Sequence, residues 1–299
     1  MFEAVQKNKR RTYFIATLCF VFLGVVVYFI AEFSGLGNIA IPIAVLVAIC
    51  STFFSYFFSD KIVLASSHAK PADEETEKYL HNIVEGLCVA SGLPKPRIYV
   101  VDDPAPNAFA TGRNPQKAVV CVTTGLLQRL DYYQLEGVLA HELAHIKNYD
   151  ILLSTVVTVM VGIVIILSDI FTRFMFFGGG RSRRSNDDNG GGIQIILFII
   201  GLIFIILAPL FGQLLKMALS RNREYLADST AIEFTRNPEG LATALEKISQ
   251  DPMPVEHANK ATANMYICNP LRNKKGESVD LFSTHPPIDK RIEAIRNIR

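Results

Sequence analysis

The sequence predicts a mainly α membrane protein, in which four transmembrane helices carry a cytoplasmic α+β domain with a small β-sheet. Three observations predict it. Half of the 299 residues are hydrophobic (50%), too many for an ordinary soluble domain. The apolar residues collect in four runs close to the roughly 20 residues a helix needs to cross a bilayer core. Two polar segments, 59–150 and 216–299, carry the helical and strand periodicities of a folded domain. The formal charge of +2 excludes a whole-chain basic character suited to nucleic acid, so none is expected as a partner. Cys19, Cys50, Cys88, Cys121 and Cys268 are odd in number and scattered, which points to a reducing compartment around the folded parts.

A basic N-terminus, 1–12, precedes a transmembrane hairpin, 13–58, with spans at 13–33 and 39–58. Only Ser34, Gly35, Leu36, Gly37 and Asn38 separate the two, and a second span following at once argues against a cleaved signal peptide. A second hairpin, 151–215, has spans at 151–177 and 193–215. Asp169 and Arg173, at i, i+4 near the end of the third span, read as a structural pair. Between these spans the loop 178–192 is bounded by glycine triplets and has the composition of a flexible tether. Lys7, Lys9, Arg10 and Arg11 before the first span, with Lys61, Lys147 and Lys216 beside others, place the N-terminus and both polar segments in the cytoplasm. Arg181, Arg183 and Arg184 oppose that orientation, offset in part by Asp187 and Asp188.

Within 59–150, Leu80, Ile83, Val84, Leu87 and Cys88 make an amphipathic helix closed by Gly92 and Pro94. The β-branched and aromatic runs at 97–101 and 118–123, with 107–112 between them, form the small sheet. Asp131 followed by Gln134 is a capping box, so a helix starts there and runs into His141, Glu142, Leu143, Ala144 and His145.

On that helix His141 and His145 leave one face a turn apart and can bind one metal ion. Glu142 stands beside the metal, where a carboxylate can take a proton from the attacking water during metal-assisted hydrolysis of a peptide bond. The bland alternative is two surface histidines on an amphipathic helix, yet the pattern should arise by accident in only about one such chain in a hundred. A catalytic zinc needs a third protein ligand and an open position. Six residues after His145 stands Ile151, which cannot serve, and Asp150, Glu224, His257 and His285 are the candidates. Glu224 and Asp228 share a face of a predicted helix, so one carboxylate can bind metal while the other orients an imidazole. Alone, that pair would more often be a solvated helix face. Two crossings between His145 and Glu224 return the chain to the side it left, which lets the halves meet.

These motifs, together with Asn107-Ala108-Phe109-Ala110-Thr111-Gly112 and Ser283-Thr284-His285-Pro286-Pro287 ahead of Arg291, make the chain resemble the HtpX-type membrane proteases of the M48 peptidases. The resemblance covers essentially the whole chain. It implies a zincin-like catalytic domain, one zinc ion held by His141, His145 and Glu224, Glu142 as general base and Asp228 in support. It further implies that His285 steadies the tetrahedral intermediate, and that Asn107, Ala108, Phe109 and Ala110 belong to an edge strand to which an extended substrate adds. The implied setting is a bacterial cell membrane, multi-pass, with the catalytic domain acting from the cytoplasm on misfolded or damaged membrane proteins. A catalytically inactive metal-binding scaffold is the alternative, and the intact Glu142 argues against it. A channel or transporter would place polar residues or broken helices at mid-membrane, and the first two spans have none.

Overall fold

The structure, a computed structural model, describes residues 2–33, 37–173, 221–259, 261–271 and 286–298. Helices α1 (Phe2–Phe33) and α2 (Ala40–Ser66) pair as a hairpin. Both are apolar over most of their length, and Pro42 lies in the first turn of α2, where a missing N–H costs little. Tyr13, Phe14, Leu18 and Val21 of α1 and Ile41, Leu46, Phe53 and Phe54 of α2 are exposed. A water-soluble monomer rarely carries so continuous an apolar surface, and a bilayer would cover it. Among the described residues, one segment, Ile41–Ser66, is by itself long and apolar enough to cross a membrane. The α2 helix runs on past Phe58 to Ser66, beyond the predicted end of the second span. Asp60 is drawn into an ion pair with Arg97 at 2.6 Å and Val63 packs beneath the sheet, so the helix carries the chain directly into the folded domain.

Of the third predicted span, 151–177, residues 151–173 lie in α6 (Asp150–Arg173), and 174–177 fall outside the described residues. Its Leu152, Leu153, Val156, Val157 and Met160 pack on Ile15, Cys19 and Leu23 of α1. The loop 178–192, the span 193–215 and the side chains of Asp169 and Arg173 lie outside the described residues.

The sheet has the order β1 (Lys70–Pro71), β2 (Arg97–Val101), β4 (Val119–Thr123), β3 (Ala108–Thr111). β2 and β4 are parallel, with Ile98 opposite Val120, while β3 runs antiparallel to β4 with Ala108 opposite Val122. Period-two alternation sorts the side chains to two faces. Ile98, Val120, Val122, Ala108 and Ala110 face the main core, built with Leu80, Ile83 and Val84 of α3 (Lys78–Ser91) and Leu135, Val138 and Leu139 of α5 (Tyr132–Lys147). Cys121 and Phe109 face a second cluster with Val63 and Tyr266. Both faces are covered, which explains the unbroken apolar run of β4. A short helix, α4 (Thr124–Arg129), separates the sheet from α5.

α5 begins with the capping box read from the sequence: the Asp131 side chain accepts from the Gln134 N–H, and the Gln134 side chain accepts from the Asp131 N–H. It packs against α7 (Asn222–Thr235) and α8 (Pro238–Gln250), and α8 in turn meets α9 (Ile288–Arg296). At the crossing of α5 and α8 the backbones nearly touch: a Cβ on Gly137 would lie 2.7 Å from the Leu241 nitrogen. Helix propensity alone favours alanine over glycine by about 1 kcal/mol. Backbone cannot yield as a side chain tip can, so Gly137→Ala is expected to destabilise the protein, with overpacking of about 1–3 kcal/mol outweighing propensity. Thermal unfolding of the detergent-solubilised variant checks this, and a midpoint at or above that of the wild type would refute the close approach.

Candidate metal centre

α5 and α7 meet so that His141, His145 and Glu224 converge, with one ligand atom from each lying within 4.8 Å of the others. The ring nitrogens Nε2 of His141 and Nε2 of His145 stand 3.1 Å apart. Glu224 presents its carboxylate at 3.7 Å from the former and 3.8 Å from the latter. Of the four candidates for a third ligand, therefore, the fold brings Glu224 to the histidines. Asp150 instead lies 3.1 Å from Nδ1 of His145, on the far side of that ring. His257 stacks on His68 with ring centroids 4.3 Å apart, and His285 lies outside the described residues.

Each imidazole is oriented from behind. Nδ1 of His141 lies 2.9 Å from Oδ1 of Asp228, and Nδ1 of His145 lies 3.1 Å from Oδ2 of Asp150. With Nδ1–H donating to a carboxylate, the neutral form of each ring is the tautomer whose Nε2 lone pair faces its neighbour. Asp228 is fixed in turn by Arg291 of α9, which donates from Nε at 3.0 Å and from Nη2 at 2.7 Å, and spends Nη1 on the Ile267 carbonyl at 3.1 Å. Arg291 is fully buried.

The electrostatics favour a cation. Burial by itself would lower the His141 pKa, but its bonds to Asp228 and Glu224 outweigh burial and push it up to about 9. Burial likewise opposes ionisation of Asp228, yet the Arg291 guanidinium and the His141 bond hold its carboxyl below the usual range. Glu142 is the exception: burial holds its carboxyl above the usual range despite the attraction of His141 and His145. Among the described residues, Glu142, Asp150, Glu224 and Asp228 are buried against only two buried guanidinium groups, Arg223 and Arg291. With His141 drawn toward protonation and Glu142 toward neutrality, protons offset this acidic excess, and a divalent ion could take their place. Two nitrogens bonded to one tetrahedral zinc stand about 3.3 Å apart, close to the separation of these two. The donor set of two imidazoles and a carboxylate thus fits zinc in charge, tautomer and spacing.

Glu142 lines the same cleft, together with Ala110, Arg223 and the stretch Asn264 to Ile267. The strand β3 lies at the sheet edge beside it. Its outer side is occupied at one end: the Ile267 N–H donates to the Ala108 carbonyl at 3.0 Å, and Tyr266 forms a backbone bridge to Phe109, their rings edge to face with centroids 5.0 Å apart. Asn107 is buried, its side chain accepting from the Ala108 N–H and donating to the Cys268 carbonyl at 3.1 Å. Sequence alone carries little sign of either support: Asp150 stands five residues after His145, and Arg291 follows the paired prolines.

A helix-borne pair of histidines, a glutamate from a second helix and a fold anchored by an apolar hairpin together define a membrane-bound metal-dependent peptidase. The chain belongs to peptidase family M48, whose profile matches residues 74–299. Relatives called Protease HtpX homolog include one from Dictyoglomus thermophilum, 49% identical over 99% of this chain and 94% of that protein. Another from Listeria monocytogenes is 44% identical over the whole of both chains (100% each). Among solved structures, the crystal structure of S. mikatae Ste24p aligns with a TM-score of 0.50 at 16% identity, over 99% of this chain and 67% of that one, a likeness of fold.

Proposed function

We propose that this chain is a multi-pass zinc endopeptidase of a bacterial cell membrane, holding one zinc ion through His141, His145 and Glu224. The observation that carries the reading is the facing pair of Nε2 atoms 3.1 Å apart with the Glu224 carboxylate beside both. When bound, zinc supplies Lewis acidity, polarising a carbonyl and making hydroxide available near neutral pH. Glu142 accepts the proton of the attacking water and delivers it to the leaving amine nitrogen. Asp228 keeps His141 in its binding tautomer, and His285 donates to the oxyanion of the tetrahedral intermediate. An extended polypeptide lies along the strand Asn107, Ala108, Phe109, Ala110. Because the Ala108 carbonyl already accepts from Ile267, main-chain pairing with substrate falls where Ala110 lines the cleft.

Four crossings with the catalytic domain in the cytoplasm fit the basic residues flanking the hairpin and the exposed apolar faces of α1 and α2. Such a placement suits substrates that are misfolded or damaged membrane proteins, cleaved at the membrane surface in quality control. Replacing a ligand tests the reading. Glu224→Gln is expected to lower zinc content well below one ion per chain and to lose cleavage of an unfolded membrane substrate with it. Unchanged zinc stoichiometry by metal analysis would remove Glu224 from the ligand set.

A further inference from the structure

The corner between α5 and α6 is sharp, with the helices meeting at 86°. Tyr149 turns it with φ 59°, a left-handed conformation that costs a non-glycine residue about 1–2 kcal/mol. The same corner presents Asp150 to His145, so its shape decides where one of the two imidazoles points. What holds the corner comes from the other end of the chain. Asn8, in the cytoplasmic extension of α1, donates from Nδ2 to Oδ1 of Asp150 and to the Asn148 carbonyl at 3.1 Å. Both contacts are acceptors, which fixes the amide's orientation without ambiguity. One residue on, the Lys9 ammonium sits over the Tyr149 ring at 4.2 Å. Below this clamp α1 continues against α6 through Ile15, Cys19 and Leu23, so the clamp rests on a packed helix pair.

We infer that Asn8 is a positioning residue for the metal centre, acting through Asp150 on the imidazole of His145. The carboxylate of Asp150 has two oxygens and divides them: Oδ2 lies 3.1 Å from Nδ1 of His145, and Oδ1 takes the Asn8 amide. Without Asn8 the fully buried Asp150 keeps its bond to His145 but can rotate about χ2, and the ring loses its fixed direction. The arrangement mirrors the other ligand, where Arg291 fixes Asp228 and Asp228 fixes His141. Each histidine is therefore held by a carboxylate that a residue near one chain terminus holds in turn. Asn8 lies five positions before Tyr13, about 7 Å along the helix from the start of the first span. The metal centre is thereby tied to the seating of the first membrane helix.

The inference rests on the zinc site proposed above, and the experiment separates the two. Zinc affinity of the full-length, detergent-solubilised protein is measured by competition with a chromophoric chelator, for wild type, Asn8→Ala, Asp150→Asn and the double variant. Loss of an outer partner weakens metal binding by about 10–100-fold, and Asn8 acts one bond further out, so Asn8→Ala is expected to weaken zinc by about 10-fold. In the Asp150→Asn background the same change is expected to add less than about twofold, since the two act as one unit. Thr12→Val, which loses only a bond to the Asn8 carbonyl one turn along α1, should leave zinc affinity at the wild-type value. Should truncation unfold the hairpin, Asn8→Leu, of similar size, gives the same test. Wild-type zinc affinity in a folded Asn8 variant, or an equal loss with and without Asp150, overturns the inference. A wild-type protein that binds no zinc would instead overturn the site itself.

Discussion

Glu142→Ala is expected to leave zinc bound and to lower peptide-bond hydrolysis by about 10²–10⁴-fold, the usual contribution of a positioned general base. The separation of the two effects follows from the geometry. Glu142 lines the cleft but is not among the three residues whose ligand atoms converge, so its removal takes no donor from the metal. Nor should the fold suffer. The carboxylate is buried, and burial holds it above the usual carboxylate range despite the attraction of His141 and His145, so deleting it removes a desolvation cost. The measurement is paired: zinc stoichiometry by metal analysis, and the rate of cleavage of an unfolded membrane protein by the same preparation. Full zinc with wild-type cleavage would eliminate Glu142 as the base. Loss of zinc together with activity would mean that the carboxylate supports the metal, and the assignment of roles within the helix would have to be redrawn.

How the site is assembled explains what could be read from the chain. The helix bearing His141 and His145 was legible because its signals are local: a capping box four residues wide and a ligand spacing of one turn. The strands β2 and β4 were legible for a similar reason, since β-branched runs stand out over five residues, and β3, Ala-Phe-Ala-Thr, by lying between them. β1 was not, because Lys70 and Pro71 carry no strand pattern and pair only because α2 delivers them beside Tyr99 and Val100. Hydropathy falls at Ser59, Asp60 and Lys61, which marks the predicted end of the second span at Phe58 but not the end of the helix, which continues on contacts made with Arg97 and the sheet. Spacing alone also left the third ligand open among four residues. Choosing Glu224 needs the packing of α5 on α7, a fact of tertiary structure. Asn8 and Arg291 lie furthest from legibility. Each is one polar residue in an unremarkable stretch, and each finds its carboxylate across a large separation, 142 positions for Asn8 and 63 for Arg291.

Arg291→Met should give the largest loss of stability. The guanidinium is fully buried and binds Asp228 through two nitrogens, so its removal strands a carboxylate without its cation. Breaking a buried pair from one side costs about 3–5 kcal/mol, because the remaining carboxylate is cut off from water and keeps, among the described residues, only the His141 ring as a partner. The Ile267 carbonyl loses its donor at the same time, and with it the tie between α9 and the segment that covers the outer side of β3. Lysine should not rescue, since a single ammonium cannot reproduce the planar fork on one carboxylate. Bound zinc would stabilise the folded state and mask part of the loss, so unfolding is compared after chelation. An unchanged midpoint for Arg291→Met would show that the pair contributes nothing net. A second variant separates folding from function: Arg291→Met with Asp228→Leu removes both charges and should recover much of the stability, as replacement of a buried ion pair by apolar groups often does. It should not recover zinc affinity, because His141 then lacks the carboxylate that fixes its tautomer. Stability regained without metal affinity would place the purpose of the Arg291–Asp228 pair at the imidazole rather than in the fold.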